Sequence, residues 1–273
     1  MSERQDYPAG APCWVDTLQG DAEAARRFYG KLFGWRFVGP GPVAGDPSGA
    51  YYVARVRDRD VAGILPRPPD APPISAWNTY IAVDSVDDLA KRVTGAGGSV
   101  LVPPFDASPA GRSTVLADPS GAVFGGWEPA SRKGAQLVNE PSAWAMSSLL
   151  TRDPDGANRF YRDVFGWQSE SFGRGDMAVG LWRLPGYVGG EPKQPVPRDV
   201  VAVLIPMDEK FPPDMQAYWH VDFWVDDADG TAANAAALGG KVIVQPHDTP
   251  GFRSATIADP EGAVFSISKL KAA

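Results

Sequence analysis

The sequence predicts an α+β fold built from two consecutive copies of one domain. A segment that runs from Asp21 to Trp35 recurs from Asp153, with Phe-Tyr in its middle and Phe-Gly-Trp at its end. A second segment, Asp-Pro-Ser-Gly-Ala-Val-Phe from Asp118, recurs as Asp-Pro-Glu-Gly-Ala-Val-Phe from Asp259. The copies lie 132 and 141 residues apart. Because order and spacing are kept across each half, the duplicated unit is a whole domain.

Each half opens with a strand and an amphipathic helix. Short apolar strands are predicted at residues 13–18 and 144–150, and Asp21 and Asp153 follow them as helix N-caps. Gly34 then ends the first helix, and Gly166 ends its counterpart. The apolar residues of the first helix recur at helical spacing, which predicts that this face is buried: Ala24, Ala25, Phe28, Leu32 and Phe33.

The remaining elements complete two βαβββ units in each half, four in the chain. In the first half, strands are predicted at residues 35–38, 50–57, 61–65, 77–83, 99–102, 113–118 and 122–127, with a helix at 86–96. In the second half, strands are predicted at 219–225, 241–245, 254–259 and 263–268, with a helix at 228–238.

Composition shifts suggest the domain boundaries. We expect a loose N-terminal arm at residues 1–10, a first domain at 11–128, a linker at 129–141 and a second domain at 142–273. Residues 66–73 are expected to link elements within the first half. Residues 184–200, rich in proline and glycine, are expected to be an insertion specific to the second half.

Charge and hydropathy narrow the possible partners. The net charge is −7 and basic residues do not cluster, so a nucleic acid is not expected as a partner. No apolar run has the length of a membrane span, and the N-terminus lacks a signal-peptide core, which favours a cytoplasmic location. A single cysteine, Cys13, excludes an internal disulfide framework. The chain is expected to be a monomer or a homodimer.

The two repeated motifs resemble those of the vicinal oxygen chelate superfamily, which includes glyoxalase I, bleomycin-resistance proteins, fosfomycin-resistance enzymes and extradiol dioxygenases. The resemblance covers nearly the whole chain, as a tandem pair of glyoxalase-like domains. It implies that paired βαβββ units curl their strands into cups. In many members a cup binds a divalent metal through His on the first strand, His or Gln on the fifth, and Glu on the eighth.

The residues at these ligand positions predict that no metal or other cofactor is bound. Counted from the helix caps, the strand ends and the Asp-Pro-x-Gly segments, the six positions hold Trp14, Met146, Asn78, His220, Gly125 and Ser266. Five of the six are not ordinary ligands for zinc, iron, manganese or nickel. A site across opposite halves would still gather only one histidine.

Alternation along the strands predicts which side chains face the cups. The first cup is expected to be lined by Trp14, Asp16, Asn78, Tyr80, Gly125 and Trp127. The second is expected to be lined by Met146, Ser148, His220, Asp222, Trp224 and Ser266. Apolar surfaces with a few polar groups are typical of a small-molecule site, and the aromatic rings favour a planar ligand. The alternative is that Trp14 and Tyr80 only pack in a core.

Two histidines and two arginines are further candidates. His220 is a candidate general base, oriented by Asp222 or by a serine, or else a hydrogen-bonded part of the cup wall. His247 is expected in a loop, either solvated or acting as a lid, at the position of Phe105 in the first half. Arg112 and Arg253 are expected either to bind a ligand oxygen or to form salt bridges to Asp118 and Asp259.

These observations favour a metal-independent binding protein for an aromatic or polycyclic metabolite or antibiotic. The main alternative is a metal-free enzyme of bacterial secondary metabolism, an isomerase, lyase or hydroxylase-like protein that uses His220 and Asp222 as acid and base. A metal-dependent glyoxalase or dioxygenase and a regulatory protein with empty cups are further alternatives. Whether a reaction is catalysed, and which cup is functional, stays open.

Overall fold

The structure is a computed structural model that describes residues 3–43, 46–68, 73–173, 178–189 and 197–271. Two parts of the expected connections, 69–72 and 190–196, therefore lie outside the described residues. The described chain folds into two eight-stranded mixed sheets that curl into cups, with two helices from each half of the chain. None of these helices is long and apolar enough to cross a membrane.

The first sheet is formed only by the first half of the chain, in the order β2-β3-β4-β1-β5-β8-β7-β6. Its strands are β1 (Pro12–Gln19), β2 (Arg36–Val43), β3 (Asp46–Val56), β4 (Arg59–Pro66), β5 (Ala76–Ala82), β6 (Ser99–Asp106), β7 (Gly111–Ala117) and β8 (Val123–Pro129). Its helices are α1 (Ala22–Phe33) and α2 (Val86–Gly95). Within each unit the first and last strands are parallel, and the two units join through the antiparallel pair β1–β5.

The second sheet repeats this topology, in the order β10-β11-β12-β9-β13-β16-β15-β14. Its strands are β9 (Trp144–Thr151), β10 (Gln168–Phe172), β11 (Val179–Arg183), β12 (Val200–Pro206), β13 (Tyr218–Trp224), β14 (Lys241–Thr249), β15 (Phe252–Ala258) and β16 (Val264–Leu270). Its helices are α3 (Pro154–Phe165) and α4 (Ala228–Ala237). Each cup therefore forms within one half of the chain.

The helix ends are those that the sequence predicts. Asp21 accepts a hydrogen bond from the backbone of the first turn of α1, and Asp153 does the same for α3. Gly34 and Gly166 adopt the left-handed conformation, with φ of 70° and 75°, that ends a helix at little cost for glycine.

The first helix of each half packs on its own sheet and also contacts aromatic residues of the other half. The ring of Phe33 in α1 lies 5.2 Å from that of Phe223 in β13, and the ring of Phe165 in α3 lies 5.9 Å from that of Phe124 in β8. The buried face of α1 contains Ala25, Phe28, Tyr29 and Phe33. These contacts make the cores of the two halves continuous.

The two repeated motifs meet across this interface. The hydroxyl of Tyr29 donates to Asp259 at 2.9 Å and accepts from the Trp77 indole at 3.0 Å. The hydroxyl of Tyr161 donates to Asp118 at 3.2 Å, and the Trp219 indole donates to it at 2.9 Å. Each Phe-Tyr motif thus anchors to the Asp-Pro-x-Gly turn of the opposite half, which explains why both motifs are present twice.

We expect Tyr161→Phe to lower the free energy of unfolding by about 2 kcal/mol, and Tyr29→Phe to lower it by less. Both changes leave a buried indole N–H without an acceptor. Asp259, however, also accepts from the Gln19 amide at 2.8 Å, so Tyr29→Phe leaves that carboxyl a side-chain donor. Urea denaturation of the two variants measures the difference. Equal losses, or a larger loss in Tyr29→Phe, would contradict this account.

The prediction of a loose N-terminal arm is wrong for residues 3–10. The Tyr7 hydroxyl donates to the carbonyl of Ala135 at 2.8 Å, and the Arg4 amide donates to the carbonyl of Gln136 at 2.9 Å. Leu137 and Val138 are buried in the same region. The arm and the connection between the sheets therefore pack on each other, because the connection supplies apolar side chains and free carbonyls.

Candidate functional site

The first cup contains a cavity of about 120 Å³ with aromatic walls. Its lining includes Trp14 and Asp16 from β1, Tyr80 from β5 and Trp127 from β8, which alternation predicts to share one face. Sequence reasoning missed Tyr51, Phe105, Ser113 and Arg132, which also line it. Trp14 and Tyr80 therefore border open space instead of lying in a closed core.

Asp16 is a buried carboxyl in the cavity wall, with an exposed fraction of 2%. Asn78 donates to its Oδ1 at 3.0 Å and the Tyr51 hydroxyl donates to its Oδ2 at 3.2 Å. Burial raises the pKa of Asp16 to about 6, and hydrogen bonds from Asn78, Tyr80 and Tyr51 oppose the rise. A protonated Asp16 can donate a hydrogen bond to a ligand, and an ionised one can accept.

Tyr51 connects this carboxyl to the Trp14 indole, whose Nε1 donates to the Tyr51 hydroxyl at 2.7 Å. Tyr51 reaches this place because residue 63, on the neighbouring strand β4, is glycine. A Cβ on Gly63 would lie 2.1 Å from the Tyr51 hydroxyl oxygen. A glycine inside a predicted strand marks a close approach, so Gly63 is a signal that some group lies against this strand, although it does not identify Tyr51 as that group.

Gly125 has the same relation to Tyr80. At this position, where metal-binding relatives carry a ligand, a Cβ would lie 2.0 Å from the Tyr80 ring. The aromatic ring therefore occupies the space that a side chain at 125 would need. Asn78, at the fifth-strand ligand position, is used to hold Asp16. All three ligand positions of the first cup thus serve the aromatic cavity, since Trp14 lines it directly.

A much larger cleft of about 1030 Å³ opens outside the cavity. The two spaces share the lining residues Tyr51, Ala107, Ala110, Arg132 and Gly134. Arg132 stands at the junction, with its guanidinium carbon 5.6 Å from the centre of the Trp14 ring. The cavity and the cleft are therefore neighbours, with Arg132 on the border between them.

The second cup is polar at its centre. His220 Nε2 lies 2.7 Å from the Ser266 hydroxyl, and the Ser268 hydroxyl donates to Asp222 at 2.7 Å. The two candidate acid–base groups thus each bond to a serine and not to each other. Of the two expected partners of His220, a serine and Asp222, the structure has the serine in contact with it. Its other ring nitrogen, Nδ1, is buried without a hydrogen-bond partner in the described structure.

Burial moves the pKa values of these two groups in opposite directions. It lowers the pKa of His220 to about 4, so the imidazole is neutral at physiological pH. It raises the pKa of Asp222 to about 7, while the bond from Ser268 opposes the rise. A carboxyl that titrates near 7 is suited to proton transfer at neutral pH, whereas an imidazole whose pKa lies near 4 is neutral there and only weakly basic.

The other second-cup candidates lie around these groups. Ser148 lies opposite His220 in the β9–β13 ladder, and Met146 lies opposite Asp222. The Trp224 ring is 6.0 Å from that of Phe252.

The two candidate arginines, Arg112 and Arg253, do not line the first cavity, and they do not pair with the expected aspartates. Arg112 bonds to Asp87 at 2.6 Å and to Glu128 at 3.3 Å, and Arg253 bonds to Asp229 at 2.6 Å. The proposed salt bridges to Asp118 and Asp259 are wrong because those carboxyls bond to turn amides and to the interface tyrosines. On β7, Ser113 faces the cavity, so the adjacent Arg112 points away from it, toward α2.

The prediction that His247 lies in a loop is wrong, because His247 lies in strand β14. Its side chain is exposed, and its Nδ1 is 3.0 Å from the carbonyl of Gln245. The corresponding residue of the first half, Phe105, borders the first cavity. The two cups therefore differ at this position.

The side chains of the two cups are not suited to bind the divalent metal that many members of the superfamily hold. Among the described residues, no three His, Cys, Asp or Glu side chains are grouped so that they could hold a metal ion. Asp16 in the first cup is already bonded to neutral donors, and His220 in the second is bonded to a serine. The described side chains of both cups therefore do not fit the divalent metal that many relatives bind.

Comparisons with known proteins identify the family. A family model described as "Glyoxalase/Bleomycin resistance protein/Dioxygenase superfamily" matches residues 14–125, and a "Glyoxalase-like domain" model matches residues 144–268. The chain is 41% identical to CFP32, a candidate glyoxylase of Mycobacterium tuberculosis (strain CDC 1551 / Oshkosh), over 98% of both chains. The chain belongs to this superfamily. The resemblance inferred from the repeated motifs is confirmed, and so is the tandem glyoxalase-like fold.

This superfamily member is also similar to a protein named for anthracycline biosynthesis and to a glyoxalase of known structure. It is 32% identical to the anthracycline biosynthesis protein DauV of Streptomyces sp. (strain C5), over 98% of this chain and 96% of the relative. The Mn(II)-bound glyoxalase of Novosphingobium aromaticivorans matches with a TM-score of 0.64 at 19% identity, covering 96% of this chain and 83% of the other. At that identity the structural match shows the fold alone.

Proposed function

We propose that this protein binds an aromatic or polycyclic small molecule without a metal, with one ring inserted in the first cup. The observation that carries the proposal is the cavity between Trp14, Tyr80 and Trp127, which shares part of its wall with a larger cleft. Its volume of about 120 Å³ is close to that of a cavity that holds a single benzene ring, roughly 150 Å³. Further rings would lie in the cleft.

The chemistry of the walls supports this assignment. Ring faces favour a planar ligand, and Asp16 and Tyr51 supply hydrogen-bonding groups for a carbonyl or phenol oxygen. The relatives named for anthracycline biosynthesis point in the same direction, since an anthracycline is a polycyclic quinone. The proposal includes a cytoplasmic location, a monomer or homodimer, and no nucleic-acid partner.

A second candidate function is a metal-free enzyme of secondary metabolism that uses the second cup. The observation that favours it is the neutral His220 beside Asp222, whose pKa lies near physiological pH. His220 would accept a proton and Asp222 would donate one.

We expect Trp14→Leu to weaken the binding of a neutral planar probe, anthraquinone carboxamide, about tenfold, because one stacking wall is lost. Equilibrium dialysis measures the affinity without relying on tryptophan fluorescence. The matched control is Trp224→Leu in the second cup, which should leave the affinity unchanged, as should a chelator.

Other outcomes would contradict this proposed function or favour the second candidate. Unchanged affinity in Trp14→Leu, or loss of binding on treatment with the chelator, would contradict metal-free binding in the first cup. If the wild-type protein converts the quinone, and His220→Ala abolishes this turnover without changing the affinity, the second candidate function is favoured.

A further inference from the structure

The cleft outside the first cup is basic, although the chain as a whole carries a net charge of −7. Four cations and two carboxylates line it: Arg4, Arg59, Arg132, Lys133, Glu3 and Asp60. A cleft lined by an excess of one charge concentrates the opposite charge in it. This charge is not needed for stacking of a neutral aromatic ring.

The two carboxylates of the cleft are already paired. Glu3 lies 3.6 Å from Arg59, and Asp60 lies 2.6 Å from Arg55 and 3.7 Å from Arg132. Both acids therefore offer little charge to a cationic ligand.

The other two cations have no carboxylate partner in the described structure. Arg4 donates to the carbonyls of Val188 and Gly189, and its Nε is buried without a hydrogen-bond partner. Lys133 is exposed, and within the described ranges no ion pair is found for it. Lys133 lines the cleft and not the cavity, and it follows directly in the chain on Arg132, which lines both.

We infer that this cleft binds an anionic oxygen group, such as a carboxylate, carried by the same molecule whose ring enters the first cup. The ligand class is then an aromatic acid, with Lys133 and Arg4 as the charge partners and Arg132 at the junction. The inference rests on the proposed function, because the ring in the cavity is what places the acidic group in the cleft.

The test compares two probes that differ only in charge: anthraquinone carboxylate and the matching carboxamide. In the wild-type protein, we expect the carboxylate to bind about fivefold more tightly, as a partly solvated ion pair provides. The preference should shrink as salt is added. Lys133→Gln should reduce it strongly and Lys133→Glu should reverse it, while carboxamide binding stays unchanged, because Lys133 is exposed and contributes only its charge.

Lys241→Gln, an exposed lysine on β14 of the second sheet, is the matched control and should keep the preference. If the carboxamide binds but the carboxylate has no advantage, or if the advantage survives Lys133→Glu, the inference is overturned and the proposed function stands. If neither probe binds, the proposed function fails, and this inference fails with it.

Discussion

Gly125→Ala is expected to lower the free energy of unfolding by about 3 kcal/mol and to abolish binding of anthraquinone carboxamide. The added Cβ would lie 2.0 Å from Cδ1 and 2.3 Å from Cε1 of Tyr80, which is the body of a ring and not the end of a flexible chain. The ring must leave its place beside Asp16 and move into the cavity. Urea denaturation measures the loss of stability, and equilibrium dialysis measures the loss of binding.

Two controls separate this collision from a general effect of replacing glycine. Gly95→Ala, at the end of α2, adds a Cβ with no atom within 4 Å, so it should leave binding unchanged and raise the free energy of unfolding by up to about 1 kcal/mol. In a Tyr80→Ala background the obstacle is gone, so Gly125→Ala should then cost almost nothing. A full cost in that background would show that the strain has another origin than the Tyr80 ring.

The parts of the site that sequence analysis predicted depend on local periodicity. Alternation along β1 and β5 predicted that Trp14, Asp16 and Tyr80 share a face, and the structure places them around one cavity. The repeated segments predicted the caps, the two domains and the family for the same reason. Each of these features is determined by residues close together in the chain.

The parts that sequence analysis missed depend on long-range packing. Tyr51 reaches Asp16 from β3, and Arg132 reaches Trp14 from the connection between the sheets. Neither position follows from the spacing of its own segment. Arg112 shows the reverse error: its place beside a predicted strand favoured the cup, but strand alternation turns it toward Asp87. Knowing which residue of β7 faces the cavity would have been enough to exclude it.

The contact of the first helix of each half with the other half was also missed. Sequence analysis placed Phe28 on a buried helix face and used the Asp-Pro-x-Gly segment as a repeated motif. The bond from Tyr29 to Asp259 shows that the Phe-Tyr motif and this segment also form one contact across the interface. A single chain cannot reveal such a partner by periodicity, although the joint repetition of both motifs is consistent with it.

We expect Asp222→Asn to stabilise the protein at pH 8 by about 3 kcal/mol, but to have little effect near pH 4. Burial raises the pKa of Asp222 from 3.8 to about 7. Between these values the folded protein holds a proton that the unfolded chain has lost, so the wild-type free energy of unfolding falls as the pH rises. The loss is complete above about pH 7. Asparagine never ionises and its carbonyl can still accept the bond from Ser268, so the variant avoids this loss.

Because the pKa of His220 shifts in the opposite direction, the pH profile of the Asp222→Asn variant is more informative than that of the wild type alone. Because the pKa of His220 falls from 6.5 to about 4, the folded protein binds fewer protons than the unfolded chain in that window, and this contribution to stability grows as the pH rises. In the wild type the two trends oppose each other between about pH 4 and 6.5. Asp222→Asn removes the fall that Asp222 causes, so the free energy of unfolding of the variant should fall less, or rise more, across this window than that of the wild type, while the raised pKa of Asp16 still contributes a fall in both proteins. The control is Asp226→Asn, which makes the same change of charge at an exposed position and should follow the wild-type pH profile. An equal gain in stability in Asp226→Asn would show that net charge, and not burial of Asp222, causes the effect.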